Sequence, residues 1–250
     1  MAFYKTVNTG SVPPPVSTSI SQPSSGFSFV KATRNRSKLR LGLIGVAGAG
    51  KTMSALKLAL GIGAKIAVID TENGSACLYS NLGDYDVCSI SEPYTPQKYI
   101  DAIKAAENAG YDTIIIDSLS AAWSGAGGML DQQNNEAKKT GNGYTAWRTV
   151  SPLYNRLVDT LLQSKSHIIV TLRAKQEYVI DKDVSGKTSV RKVGLGAVAR
   201  DGMEYEFDVV IDIDARHEAT ASKDRTSLFA DRTFIPSEDI GRELKTWLNS

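Results

Sequence analysis

The chain has 250 residues, of which 42% are hydrophobic and 22% are charged, and 29 Lys and Arg against 27 Asp and Glu give a net charge of +2. These values are ordinary for a globular protein with one well-packed core, and no apolar run approaches the roughly 18 residues that a membrane span requires. So small a net charge does not by itself indicate nucleic acid, and two cysteines and two histidines are too few for a zinc site or a disulfide framework.

The N-terminal segment, residues 1–26, is polar and holds four of the eight prolines. Such a composition buries little surface, so we expect a flexible arm followed by an ordered core over residues 27–250. The segment lacks the apolar stretch of a signal peptide, which predicts a cytoplasmic protein, in the host cytoplasm if a phage encodes it. The basic stretch at residues 31–40 is interpreted as a solvated edge before the first strand.

From residue 39 onward, short apolar runs of strand length alternate with segments of helical length. This alternation is typical of an α/β fold in which helices flank a mostly parallel central sheet. We predict strands at residues 39–44, 64–69, 113–116, 167–171 and 209–213, and helices at residues 52–60, 96–108 and 146–163. A closing strand near residues 227–229 and a C-terminal helix near residues 242–248 complete the prediction.

A glycine-rich loop at residues 45–52 lies between the first predicted strand and the first predicted helix. It has the spacing of a phosphate loop, in which backbone N–H groups surround phosphate oxygens beside a helix N-terminus. Lys51 would reach the β and γ phosphates, and the Thr52 hydroxyl would bind Mg²⁺. A glycine-rich turn that binds nothing is the alternative. We predict that ATP or a related nucleoside triphosphate, with Mg²⁺, binds to Gly45, Gly48, Ala49, Gly50, Lys51, Thr52 and Met53.

A carboxylate, Asp117, ends the apolar strand over residues 113–116. Ligands of open α/β folds bind at the carboxyl edge of the sheet, and an acid there would hold Mg²⁺ directly or through water, in the Walker B arrangement. Because strands often end in aspartate, this prediction depends on the phosphate loop that precedes it.

Another strand ends in Asp70-Thr71-Glu72, and the order of loop, acidic strand and Walker B strand resembles that of RecA-type ATPases. The resemblance implies that Glu72 orients the attacking water, which favours hydrolysis over phosphate transfer, while Asp70 is interpreted as a structural acid. Arg173 follows the strand predicted at residues 167–171, so it lies at the same edge of the sheet. We expect it to bind the γ phosphate and to couple it to the loop that follows.

A basic pair, Lys223 and Arg225, comes after the segment at residues 202–211, which resembles the approach to a late strand in the KaiC, RadA and DnaB branches of this superfamily. The resemblance implies that the pair reaches the γ phosphate of a neighbouring subunit, so that ATP binds between protomers of a ring or filament. A charged surface turn is the alternative. Residues 27–38 contain Phe-Val-Lys-Ala, which resembles the oligomerisation tether of RadA-like proteins; an edge strand is equally compatible.

Two predicted loops resemble the segments with which RecA-type cores contact single-stranded DNA. The first, at residues 121–143, is glycine-rich and predicted to be mobile, and it carries Lys138 and Lys139. The second, at residues 176–200, has a β-hairpin with a solvated basic tip as its alternative. The candidate DNA-binding residues of this second loop are Lys182, Lys187, Arg191, Lys192 and Arg200.

Over most of residues 27–230 the chain resembles phage RecA-like P-loop ATPases of the Sak-type recombinase group, also catalogued as phage AAA-family proteins. The resemblance is carried by residues 29–40, Trp147 with Pro152, and residues 168–178, 191–210 and 222–229. It implies an oligomeric, single-stranded-DNA-stimulated ATPase in phage homologous recombination or strand annealing, with a phage single-strand-binding protein as a further candidate partner and no membrane. A P-loop kinase or phosphotransferase and a nucleotide-gated assembly protein without DNA are the alternatives.

Overall fold

The structure, a computed structural model, describes residues 29, 31, 38–182 and 188–250, and at residues 176–182 and 188–195 it describes the backbone alone. The predicted arm at residues 1–26, most of the predicted tether at residues 27–38, and Lys187 therefore lie outside the described residues. The helices and strands that the structure describes belong to the compact unit that spans Arg34–Ser250.

A mostly parallel sheet forms the centre of this unit and confirms the predicted fold class. Within the described ranges it has nine strands, and the order is β3-β2-β4-β5-β1-β7-β8-β9, with β6 paired to β5. The pairs among β1, β2, β3, β4, β5 and β7 are parallel, whereas β6, β8 and β9 pair antiparallel. The bounds are β1 Arg40–Gly45, β2 Ile66–Asp70, β3 Asp86–Ser89, β4 Thr113–Asp117, β5 His167–Lys182, β6 Thr188–Ala197, β7 Val209–Ile213, β8 Ala219–Asp224 and β9 Thr233–Phe234.

Helices cover both faces of the sheet, because alternate residues of the buried strands point to opposite sides. The helices are α1 Lys51–Ile62, α2 Pro96–Asn108, α3 Ser120–Ser124, α4 Met129–Thr140, α5 Gly143–Gln163 and α6 Glu238–Leu248. One core packs α1 and α6 against one face, and the other packs α2 and α5 against the opposite face. Gly61 and Gly241 let α1 and α6 touch, since a Cβ at Gly61 would lie 2.0 Å from the Glu238 carbonyl oxygen.

The closing strand predicted at residues 227–229 is wrong. Asp224 ends β8, and its carboxylate accepts the backbone N–H groups of Thr226 at 2.7 Å and Phe229 at 2.8 Å, which folds the chain into a turn. Phe229 is buried and stacks on Phe234 of β9 with ring centroids 5.0 Å apart. The apolar character that suggested a strand therefore comes from the packing of a turn.

The mobile loop predicted at residues 121–143 is also wrong, because the segment forms α3 and α4 and enters α5. Met129 is buried beside Tyr154, and Trp123 stacks on Trp147 of α5 with centroids 5.6 Å apart. Gly141 ends α4 with a φ of 69°, and the Asn142 side chain accepts N–H groups at the start of α5. The glycines of this segment therefore lie at helix ends and turns of a helical hairpin rather than in a mobile loop.

The second predicted loop, residues 176–200, is mainly a β-hairpin. Strand β5 continues past the sheet and pairs with β6 from Ala174 opposite Ala197 to Lys182 opposite Thr188. This is the arrangement that the sequence left as the alternative. The backbone of Lys182, Arg191 and Lys192 lies in this hairpin, and their side chains are not described.

Arg40 does not belong to a solvated edge, because its side chain is buried within the fold. Its guanidinium donates to the carbonyl of Ser166 at 2.9 Å and to that of Leu162, at the end of α5, at 3.0 Å. Burial lowers the pKa of Arg40, and the nearby Asp208 and Glu107 oppose this shift. The residue therefore ties β1 to the carbonyl end of α5.

Across the part of the chain that the structure describes, no helix combines the length and apolarity needed to cross a membrane.

Candidate functional site

The glycine-rich loop runs from β1 to α1, as the sequence predicts, and its shape depends on its small residues. Gly48 and Gly50 have φ angles of 78° and 83°, which favour glycine. At Gly45 a Cβ would lie 2.9 Å from the carbonyl oxygen of Ile213 on the neighbouring strand. The loop is closed by a hydrogen bond from the Ala49 N–H to the Val46 carbonyl at 3.2 Å. Backbone groups and the N-terminus of α1 thus surround one concave position that suits a phosphate.

Lys51, the first residue of α1, folds back over this loop. Its ammonium donates to the Val46 carbonyl at 2.9 Å. Burial lowers the pKa of Lys51, and the carboxylates of Asp117 and Glu72 oppose that shift. The ammonium is therefore held at the mouth of the loop, with carboxylates on the facing strands.

Asp117 is buried at the end of β4 between two threonine hydroxyls. Thr52 donates to one carboxylate oxygen at 2.6 Å, and Thr171 of β5 donates to the other. Burial raises the pKa of Asp117, and the hydrogen bonds from Thr171 and Thr52 oppose that shift. A hydroxyl and a carboxylate in contact are hard oxygen donors of the kind that Mg²⁺ takes beside phosphate oxygens and water.

Glu72, which follows β2, forms an ion pair across the cleft. Arg173 at the inner end of the β5–β6 hairpin donates to one oxygen of Glu72 from Nε at 3.1 Å and from Nη2 at 2.7 Å. The Ser118 hydroxyl lies 3.4 Å from the same oxygen. Asp70 is buried and accepts the N–H groups of Glu72 and Ala76, so it is the structural acid that the sequence predicts.

These elements enclose a cleft of about 750 Å³ at the carboxyl edge of the parallel strands. Among the predicted residues, the cleft is lined by Gly48, Gly50, Lys51, Thr52, Met53, Glu72, Asp117 and Arg173. Gly45 and Ala49 shape the loop from beneath instead, since Ala49 is fully buried. The sequence therefore predicts eight of the eighteen lining residues, on four segments that are far apart along the chain.

Other residues in the lining were not predicted. Arg216 and His217 come from the turn between β7 and β8, while Tyr79, Ile235 and Pro236 add apolar surface. The turn lies beside the phosphate loop because β1 and β7 are parallel neighbours with Gly45 opposite Ile213. The predicted strand at residues 209–213 already held the signal, since any residue directly after it reaches the carboxyl edge.

Lys223 and Arg225 do not lie in the cleft. Lys223 pairs in register with Val210, near the amino end of β7, so both residues lie toward the opposite edge of the sheet from the phosphate loop. The Lys223 ammonium donates to the Tyr205 carbonyl at 2.6 Å, and Arg225 lies 3.4 Å from an oxygen of Asp208. These contacts tie the pair to the segment that precedes β7.

The remaining candidates are dispersed. Lys138 and Lys139 lie exposed in the last turn of α4, where Lys139 pairs with Glu136 at 3.4 Å. Arg200, after β6, donates to the Asn155 side chain of α5 at 2.8 Å. Tyr144 and Arg148 are exposed at the start of α5, and neither is among the DNA-binding residues predicted from the sequence.

Comparison with known proteins gives one family. The family described as an AAA domain matches residues 37–237, which is most of the chain and includes every element of the cleft. No curated protein matches the chain.

Proposed function

This chain belongs to the AAA domain family of P-loop ATPases. We propose that it is an oligomeric, single-stranded-DNA-stimulated ATPase that acts in phage homologous recombination or strand annealing. The observation that carries the proposal is the convergence of Lys51, Thr52, Asp117, Glu72 and Arg173 on one cleft. The family accounts for nucleotide binding and hydrolysis. The finer parts of the proposal depend on the arguments that follow.

The phosphate loop and Lys51 would hold the triphosphate. Backbone N–H groups at residues 47–52 neutralise phosphate oxygens without any rearrangement, and the Lys51 ammonium is already at the loop. Thr52 and Asp117 would hold Mg²⁺, which supplies positive charge between the β and γ phosphates. The mutual hydrogen bond at 2.6 Å keeps their oxygens on the same side of the cleft.

Glu72 would orient the attacking water, and the binding partner of Arg173 would control whether Glu72 is available for this role. In the structure the Arg173 guanidinium is bound to Oε1 of Glu72, so this oxygen is already engaged in an ion pair. A γ phosphate in the cleft competes for the same guanidinium, because it carries more charge than one carboxylate. Once Arg173 binds the phosphate, Glu72 is free to accept a proton from water.

The oligomer is supported by the position of Lys223 and Arg225. They lie toward the edge of the sheet opposite their own cleft, so they can meet a γ phosphate only when it is bound by another protomer. A guanidinium supplied in this way stabilises the charge that develops during phosphoryl transfer. Either ring or filament provides such a head-to-tail contact.

DNA binding is supported by the tip of the α4–α5 hairpin. Tyr144 is 81% exposed and Arg148 lies one turn further along the same face of α5, while Lys138 and Lys139 end the adjoining helix. An exposed aromatic ring beside cations is suited to stacking a base and neutralising the backbone of a single strand.

Strand β5 would connect the DNA to the nucleotide. Arg173, which contacts Glu72, directly precedes Ala174, where pairing with β6 begins. The paired strands of the hairpin include Lys182, Arg191 and Lys192 of the second predicted DNA segment. A strand bound along it would therefore act on the position of Arg173, which is the physical basis for DNA stimulation.

The test is release of inorganic phosphate from ATP by the full chain, measured with and without single-stranded DNA. We expect DNA to raise the rate, the stimulation to decline with added salt, and Lys51→Ala to abolish turnover. A rate unchanged by DNA, together with no salt-sensitive binding of single strands, would refute the DNA-dependent function. Phosphate found on an acceptor rather than in solution would identify a phosphotransferase.

A further inference from the structure

The turn at residues 214–218, between β7 and β8, enters the nucleotide cleft without belonging to any predicted motif. Its Arg216 and His217 line the cleft together with Lys51. The parallel register of β1 and β7 places Gly45 opposite Ile213, so the residues after Ile213 pass beside the phosphate loop. Of these residues, His217 contacts the phosphate loop and Arg216 lines the cleft beside it.

His217 is in direct contact with the phosphate loop. Its Nδ1 lies 3.0 Å from the carbonyl oxygen of Ala49, and because a carbonyl only accepts, Nδ1 carries the hydrogen. The C=O and N–H of one trans peptide point in opposite directions, so this contact fixes the direction of the Gly50 N–H. Position 50 must also be small, since a Cβ there would lie 3.0 Å from His217 Nδ1.

The backbone of the turn does not depend on the Arg216 side chain. The Asp214 carboxylate accepts the N–H groups of Arg216 at 2.8 Å and Glu218 at 3.0 Å, and the Asp214 N–H donates to the Glu218 carbonyl at 2.9 Å. These contacts form a closed turn by themselves. The guanidinium is therefore available for another task.

Two acids hold the Arg216 guanidinium at the wall of the cleft. Its Nε lies 3.1 Å from Asp214 and its Nη2 lies 2.8 Å from Glu218, while the side chain as a whole is 76% exposed. Surface ion pairs of this kind are weak, and a phosphate is a stronger partner for a planar guanidinium than a carboxylate. The two acids thus orient the Arg216 guanidinium but leave it accessible to a ligand in the cleft.

We propose that this turn is a second phosphate-binding element of the nucleotide site, in which Arg216 donates to the phosphates and His217 is a positioning residue that acts through the Ala49 carbonyl. The inference rests on the proposed nucleotide binding. It assigns a binding role to a turn that is remote in sequence from the phosphate loop, since His217 and Ala49 are 168 positions apart.

The first test is the affinity of the full chain for ATP and ADP with Mg²⁺, measured by titration calorimetry on Arg216→Ala. We expect the Kd for ATP to rise about tenfold, with a smaller rise for Arg216→Lys. The matched control is Arg242→Ala, since Arg242 is also exposed and paired with two acids, Asp239 and Glu238, but lies on α6 outside the cleft lining. A Kd within twofold of wild type for Arg216→Ala would overturn the role of Arg216.

The second test separates positioning from mere structural support at His217. The residue has a φ of 66°, so His217→Gly relieves backbone strain while it removes the donor to Ala49. We expect the thermal unfolding midpoint to stay level or rise, whereas the Kd values for ATP and ADP both rise about three- to tenfold. Unchanged affinity in a folded His217→Gly protein would remove His217 from this role.

Failure of this inference is distinguishable from failure of the proposed function. If wild type binds ATP and Lys51→Ala does not, the nucleotide site stands and the Arg216 and His217 variants decide the role of the turn. If wild type binds neither ATP nor ADP, the proposed function fails and the inference fails with it. Should Arg216→Ala unfold, Arg216→Gln, which keeps the stem and loses the charge, replaces it.

Discussion

The two edges of the sheet carry charged side chains in contrasting arrangements. At the carboxyl edge, Thr52 and Thr171 each donate to the buried Asp117 carboxylate, and Glu72 pairs with Arg173 in the lining of the same cleft. Toward the amino edge, Lys223 and Arg225 are bound to nearby carbonyl and carboxylate groups of the segment before β7. The residues at the carboxyl edge face one cleft, whereas Lys223 and Arg225 are not part of the lining of that cleft.

This contrast separates two kinds of functional charge. A convergent, partly buried set recognises a small ligand in its own chain, because its members are held in place before the ligand arrives. A dispersed, exposed pair contributes little within its own chain and becomes useful when another molecule lies against it. The comparison predicts strong coupling between residues at the carboxyl edge and complementation between chains at the amino edge.

The largest effect should follow from removing the guanidinium at the amino edge. Under the proposed oligomer, Arg225→Ala loses about a thousandfold in ATP turnover, since a finger of this kind supplies charge at the transition state. Nucleotide affinity of the isolated chain should be kept. Phosphate release and nucleotide titration on the same preparation measure the two quantities.

A mixture of two inactive variants tests whether the amino edge of one protomer contacts the cleft of another. Lys51→Ala and Arg225→Ala are each expected to be inactive alone, and an equimolar mixture should recover about a quarter of the wild-type rate, because random assembly pairs an intact cleft with an intact finger at that frequency. Mixing Lys51→Ala with Arg242→Ala serves as the control for dilution by an inactive chain. A mixture that stays inactive, although the chains co-assemble, contradicts a finger acting between subunits.

The next effect concerns the ion pair at the carboxyl edge. Glu72→Gln should keep ATP binding and lose turnover by roughly a hundredfold or more, because the amide cannot take a proton from water. Arg173→Ala should also slow turnover, and the double variant should cost little beyond Glu72→Gln alone, since the two residues act as a unit. Single-turnover rates of the three proteins give the coupling.

The double-mutant cycle of Glu72 and Arg173 needs a control ion pair that lies outside the cleft. Arg232 and Glu243 form another ion pair between an arginine and a glutamate, with a contact of 2.6 Å, and neither residue is in the cleft lining. Their variants should leave turnover near the wild-type rate. If the costs of the Glu72 and Arg173 substitutions simply add, Arg173 does not control Glu72 and this part of the proposal is wrong.

The contrast also explains how far the sequence predicts this protein. Apolar runs and the glycine spacing identify five of the nine described strands, the phosphate loop and the acids at strand ends, because each of these signals is local. Helix α5 was predicted at residues 146–163, but α4 escaped prediction since it ends at Gly141 and is held by the distant Tyr154. His217 escaped because its contact with Ala49 depends on the β1–β7 register. Contacts that arise from tertiary packing leave no local pattern.

The smallest effects are expected at the tip of the α4–α5 hairpin, where side chains project separately. Under the proposed DNA binding, Tyr144→Ala should weaken binding of a single strand about five- to tenfold, and Tyr144→Trp should restore it, because stacking requires only an aromatic face. Arg148→Ala should weaken binding to a similar degree and reduce the salt dependence by about one ion.

Arg156 provides the matched control for Arg148, because it is exposed on the same helix but lies about two turns further from the tip. Fluorescence anisotropy with a labelled oligonucleotide at several salt concentrations measures all these variants. The losses at Tyr144 and Arg148 should add within a factor of about two, unlike those at Glu72 and Arg173, since exposed groups without a common partner act independently. Equal losses for Arg148→Ala and Arg156→Ala would show that total charge, rather than this tip, attracts the strand, and the assignment of the DNA-binding surface would be wrong.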